Sequence, residues 1–143
     1  MRTFLLLILL AVSCSNDNGS GPVDITYGED ICERCKMIIS EERYSSQLIL
    51  ENGKFLNFDD IGGMIIYVSE NNISPQISKI YVKDFNTMDW LDSENAVFVE
   101  AKKIKTPMGF GIIAFSDMDK ANQFILDDGG RIIGSYSDIE SSK

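Results

Sequence analysis

Tyr44-Ser45-Ser46-Gln47-Leu48-Ile49-Leu50, then Asn52-Gly53, then Lys54-Phe55-Leu56-Asn57-Phe58-Asp59-Asp60-Ile61, holds two strands and the start of a helix. The apolar runs 44–50 and 54–58 flank Asn52-Gly53, a pair suited to the left-handed backbone of a tight hairpin turn. Asp59 or Asp60 can accept backbone N–H groups as a cap, opening a helix over 61–70 with Ile61, Met64, Ile65 and Val68 on one face. Asn71-Asn72 closes that helix, and Lys79-Ile80-Tyr81-Val82-Lys83 reads as the next strand. The order is β-β-α-β.

The same order returns further on. Ala96-Val97-Phe98-Val99-Glu100 and Gly111-Ile112-Ile113-Ala114-Phe115 read as strands, and Ser116 or Asp117 caps a helix carrying Ala121, Phe124, Ile125 and Leu126. Gly129-Gly130 ends it, and Arg131-Ile132-Ile133-Gly134 forms a final strand. Phe58-Asp59-Asp60 and Phe115-Ser116-Asp117 occupy the same strand-to-helix junction. This predicts an α+β fold of duplicated β-β-α-β units in one compact two-lobed body, lobe one about 30–84 and lobe two about 95–135. The alternative is a chance likeness of two short runs, since no long stretch is identical. Phe55, Phe58, Phe98, Phe115 and Phe124 are expected in the core.

Upstream, Met1 to Ser13 combines one positive charge with a short apolar run and ends at Cys14, which reads as a secretory signal, residues 1–13. Its end resembles the lipobox of bacterial lipoproteins, in which the cysteine becomes the diacylated first residue; Cys14 is therefore the expected lipidation site, against a plain signal peptide or a retained anchor. Residues 14–24, polar and glycine-rich after Cys14, read as a flexible tether, leaving 25–143 for one domain. Ser15 after Cys14 does not look like an inner-membrane retention signal. The net charge is −9, and removal of Arg2 with the leader would make it −10. An acidic body argues against nucleic acid as a partner.

Cys32-Glu33-Arg34-Cys35-Lys36-Met37 places three sulfurs in six residues of a chain with no histidine. Histidine-based catalysis and most borderline-metal sites are thereby excluded, and soft thiolate and thioether ligands select Cu(I) among the common biological metals. In an extended segment, Cys35 and Met37 share a face roughly 6.6 Å apart. Arg34 and Lys36 would then lower the Cys35 thiol pKa. Cys32 joins only if Glu33-Arg34 forms a turn. A Cys32–Cys35 disulfide competes with this reading, as do a thioredoxin-like dithiol and a short helix from Ile31 through Ile39 in which Cys35 and Met37 diverge. Met108, in the turn Thr106-Pro107-Met108-Gly109-Phe110-Gly111, is poorly placed to fill a core and is the candidate third sulfur ligand. Met64 and Met118 read as core or surface, Met88 as packing on Trp90, and Asp59 and Asp60 as caps, no nucleophile accompanying them.

Taken in order, Cys32-x-x-Cys35-x-Met37, Phe58-Asp59-Asp60-Ile61-Gly62, Lys83-Asp84-Phe85 with Trp90, and Thr106 to Gly111 resemble the NosL family, copper-binding accessory lipoproteins of nitrous oxide reductase. The resemblance implies a Cu(I) chaperone rather than an enzyme, anchored by lipid in the cell envelope and facing the periplasm. Its client would be nitrous oxide reductase and its copper-assembly machinery. It implies Cys35 and Met37 as copper ligands; on the reading of the residues above, Met108 or Cys32 would complete a two- or three-sulfur site. The family motif usually carries glycine where this chain has Lys36, and any histidine ligand of the family is missing here. Two other functions stay open: an envelope scaffold with a structural Cys32–Cys35 bridge and no metal, and an enzyme, since the family's fold is similar to part of an organomercurial lyase.

Overall fold

The computed structural model describes residues 21–141; the expected signal segment 1–13, the lipidation site Cys14 and most of the tether lie outside the described residues. Two antiparallel sheets carry the fold. The first unit comprises β1 (Ser46–Leu50), β2 (Phe55–Phe58), α1 (Ile61–Asn71) and β3 (Ile77–Lys83). The short strand β4 (Trp90–Asp92) extends the same sheet, whose order is β2-β1-β3-β4. The second comprises β5 (Val97–Ala101), β6 (Ile112–Phe115), α2 (Met118–Asp128) and β7 (Gly130–Gly134), in the order β6-β5-β7. Each unit thus puts its first strand in the middle, its second on one side and its post-helix strand on the other. The duplication expected from the repeated element order is a repeat of topology as well. A last helix, α3 (Tyr136–Ser141), returns Ile139 to the larger core.

Local chemistry accounts for most boundaries. The β1–β2 turn is not the left-handed pair expected of Asn52-Gly53. Only Gly53 has positive φ, at 80°, and its N–H donates to the Leu50 carbonyl at 2.8 Å. The result is a three-residue loop with glycine in the left-handed position, a common hairpin alternative. Asp60 caps α1 by accepting the Gly63 N–H at 3.2 Å, and Asp117 caps α2 through Lys120 N–H at 2.9 Å. Asn72, at φ 52°, ends α1.

Leu48, Phe58, Ile61, Met64, Val82 and Phe98 are fully buried in one core, which both units share. Phe55 and Leu126 are exceptions to the expected pattern. Phe55 sits at the start of the edge strand β2 on its open face, and Leu126 is 80% exposed on the outer side of α2. The N-terminal segment is fixed from Val23, whose N–H and carbonyl are both gripped by the buried Gln47 amide at 2.8 and 3.1 Å.

The two units are joined at Asp84, which is 1% exposed. One carboxylate oxygen accepts the Asn86 and Thr87 N–H groups, the other the Ser116 N–H at 2.8 Å. Phe85 follows, donating its N–H to the Ala114 carbonyl at 2.8 Å and packing its ring 5.7 Å from Phe115 and 5.3 Å from Phe124. Burial pushes the Asp84 pKa up, but these backbone donors outweigh it and hold the carboxyl below its ordinary value. A second contact between the halves places the 106–111 turn on α1: a Cβ on Gly62 would collide with the Phe110 side chain.

Two outcomes follow from these contacts. Because the folded carboxyl of Asp84 is depressed, its contribution to stability is present above the unfolded carboxylate pKa and is lost as pH falls through the folded value. Asp84→Asn is expected to cost about 2–3 kcal/mol at neutral pH, since an amide leaves buried N–H groups unpaired, and to flatten the acid limb of the stability curve measured by urea unfolding. Gly62→Ala is expected to cost about 1–3 kcal/mol by overpacking, read as a lower denaturation midpoint at unchanged m-value.

Candidate metal centre

The cysteine segment is a tight turn, not the extended run that would set Cys35 and Met37 on one face. Ile31 and Ile38 pair as an antiparallel bridge at its base. Inside it, Cys32 N–H donates to the Met37 carbonyl at 2.8 Å and Lys36 N–H to the Cys32 carbonyl at 3.0 Å. Closing so short a loop forces a left-handed residue, and Lys36 takes that place at φ 61°. Glycine is the residue that adopts such backbone without cost. Lysine there carries about 1–2 kcal/mol of strain, which the surrounding hydrogen bonds must offset.

The turn brings Cys32 and Cys35 together, and β2 delivers a third donor. Glu33 N–H bonds the Asn57 carbonyl at 2.7 Å, docking the loop beside the end of β2. Asp60 is extended as the helix cap, so its neighbour Asp59 faces the opposite way, toward the thiols. The Cys32 and Cys35 sulfurs and an Asp59 oxygen all lie within 4.8 Å of one another. Cys35 S–H donates to Asp59 Oδ2 at 3.4 Å, while Asp59 Oδ1 is buried without any hydrogen-bond partner. No bridge joins the sulfurs, so the disulfide alternative is not the state of this structure.

Depth divides the ligand candidates. Cys32 and Asp59 are buried, Cys35 is half-buried, and Met37 is 53% exposed. Burial pushes the Cys35 thiol pKa up to about 12; the Met37 N–H opposes this, and Cys32 and Asp59 reinforce it. The expectation that Arg34 and Lys36 would depress it fails because both cations are turned elsewhere. Lys36 pairs with Glu33 at 3.2 Å, while Arg34 reaches Glu70 at 3.3 Å and lies 5.9 Å from the centre of the Phe110 ring.

The 106–111 turn arrives at the N-terminus of α1. Asp60 Oδ2 accepts the Met108 N–H at 2.9 Å, and Thr106 holds Gly109 and Gly111 through its carbonyl and hydroxyl. Met108 is half-buried against Gly63, in the first turn of α1. Met64 is wholly buried in the core cluster that also holds Cys32, and Met118 is exposed at the start of α2. The Lys83 ammonium lies over the Trp90 ring, 4.3 Å from its centre.

Asp59 is the one member of the cluster that reading the sequence missed as a donor. The signal was the doubling itself: a helix start needs one capping acid, and two consecutive carboxylates on extended backbone must face opposite ways.

Comparisons with known proteins bear on the fold and the family. A NosL family model matches residues 22–143. The crystal structure of the copper chaperone NosL from Shewanella denitrificans superposes with a TM-score of 0.75 at 20% identity, covering 85% of this chain and 98% of that one. No curated protein matches. With the family model covering nearly all of the described chain, and the cysteine turn, the Asp-Asp junction and the 106–111 turn standing together, the protein belongs to the NosL family.

Proposed function

We propose that this protein is a copper chaperone that carries Cu(I), held at the cysteine turn by Cys35 and Cys32, with Met37 and Met108 as the sulfur donors on its open side. The observation that carries the reading is the unbridged Cys32, Cys35 and Asp59 cluster with an unpaired buried carboxylate oxygen. A buried polar atom left without a partner costs free energy, and a cation, or a proton donor displaced by one, supplies the partner it lacks. Two thiolates fit a soft monovalent ion, and the absence of histidine leaves sulfur to dominate the site.

The gradient of exposure fits a carrier. Cys32 and Asp59 form a floor closed to solvent, while Met37 stands in the open. A receiving protein can therefore replace the weak thioether first and leave the thiolates for last. Each intermediate keeps the ion coordinated. The family and the likeness to a copper chaperone support this reading. Cys14 as a lipid anchor, a site in the cell envelope facing the periplasm, and nitrous oxide reductase as the recipient complete the proposal; they rest on the leader sequence and the resemblance.

The test is competition against a chromogenic Cu(I) chelator under anaerobic, reducing conditions. One Cu(I) per chain is expected for the wild type, with loss of binding in Cys35→Ser and weaker binding in Met37→Ala. Asp59→Asn, which keeps the size but removes the charge, is expected to weaken binding by about 10–100-fold, the range seen when groups supporting a metal ligand are removed. Full retention by Cys35→Ser would end the carrier reading. A protein that shows no titratable thiol at Cys32 and Cys35 when purified anaerobically without reductant would favour the bridged scaffold.

A further inference from the structure

Positive charge in this acidic chain is unevenly placed. Among the described residues six cations pair with carboxylates, and Arg43 donates to the Phe85 carbonyl. Lys102, Lys103 and Lys105 fall within four consecutive positions, are all exposed, and make no such pair. Lys102 and Lys105 rim a concavity of about 410 Å³ that Ile104, Phe110 and Arg131 also line, and Lys103 stands exposed between them in sequence. The carboxylate that lines it, Glu100, is already engaged by Arg131. A body of net charge −9 that leaves three adjacent ammonium groups uncompensated presents a local field opposite in sign to the rest of its surface.

The position of this patch gives it a direction. Lys105 is followed at once by Thr106, so the lysine loop runs straight into the turn that Asp60 holds through Met108 N–H. Phe110, in the lining of the concavity, packs on Gly62 and lies beneath Arg34 of the cysteine turn. One side chain therefore lines the lysine patch and also meets Gly62 and Arg34, which lie near Asp59 and Cys35 in sequence. Whatever sits on the lysines is placed against the copper-bearing end of the molecule.

We infer that the Lys102–Lys105 loop and its concavity form the docking surface for an acidic protein segment, which this charge pattern orients toward the metal centre. The inference takes its direction from the carrier reading, but its binding step needs no metal. An acidic protein segment fits better than an anionic membrane, because pressing this loop into headgroups would cover the 106–111 turn and repel the acidic remainder of the body. Electrostatic steering of this kind acts chiefly on encounter rate and fades as salt shortens the screening length to about 8–10 Å.

The experiment is a titration of the metal-free, isotope-labelled protein, followed by backbone amide shifts, with a short glutamate-rich peptide, its lysine-rich counterpart, and phosphatidylglycerol vesicles. The glutamate-rich peptide is expected to shift amides in 102–111, with affinity falling several-fold from low salt to about 0.15 M salt. The response should vanish in the K102S/K103S/K105S variant, while its thermal midpoint and its Cu(I) competition curve stay at the wild-type values. Shifts that fall elsewhere, an unchanged response in the triple variant, or tighter binding to the vesicles than to the peptide would each overturn the inference. Loss of Cu(I) binding in the wild type with intact peptide binding would remove the carrier reading and leave the docking surface standing.

Discussion

Two adjacent carboxylates at the end of β2 hold the functional end of this molecule together. Asp60 turns inward, caps α1 and accepts the Met108 N–H; Asp59 turns the other way and meets Cys35. Extended backbone makes that division unavoidable, since consecutive side chains leave on opposite faces. One junction thereby fixes three chain segments relative to one another: the cysteine turn, the helix start and the 106–111 turn. Substitution of either acid removes a different set of contacts. Loss of Asp60 frees the helix N-terminus and the Met108 turn together, whereas loss of Asp59 leaves the fold's caps intact and empties the floor of the cluster.

The second unit shows how the same junction serves when no site is built on it. Asp117 caps α2 as Asp60 caps α1, but the preceding residue is Ser116, whose N–H is spent on Asp84 of the first unit. The repeated topology thus gives two equivalent strand-to-helix corners with divergent uses. One faces a pair of thiols, and the other forms the seam between halves. That seam is strongly polar for a buried place, with Asp84 satisfied by three backbone donors. Beside it, the Phe85, Phe115 and Phe124 rings supply the apolar contact. The carboxylate fixes the geometry there and the rings contribute most of the burial.

Much of this architecture was legible in the residues because each signal was local. Asn52-Gly53, the capping acids, Gly129-Gly130 and the apolar runs each act within a few positions, and the two β-β-α-β units follow from them. The departures are non-local. Phe55 looks like core by pattern, yet its strand lies at a sheet edge with an open face. An extended cysteine segment would have set Cys35 and Met37 on one face, but Ile31 and Ile38 pair with each other and fold the segment back. The cations flanking Cys35 were expected to act on it; Glu33 and Glu70 claim them instead. Asp59 entered the cluster only when Glu33 docked on Asn57, a contact across two dozen residues.

Lys36 shows how such a turn can tolerate an unfavourable residue. Left-handed backbone at a lysine is costly, and the loop keeps it because Cys32 is bonded at both its N–H and its carbonyl, the Ile31–Ile38 bridge closes the base, and Glu33 is anchored on β2. These bonds set the direction of both thiols before any ion arrives. A ligand pair held in place in this way spends little of its binding free energy on ordering the loop. Met37 is different: it sits past the strained residue, more than half exposed, with only its backbone fixed by Cys32. On the carrier reading proposed above, the two thiols set by the turn and the exposed Met37 thioether divide the tasks a carrier must combine, retention at Cys32 and Cys35 and release that begins at Met37.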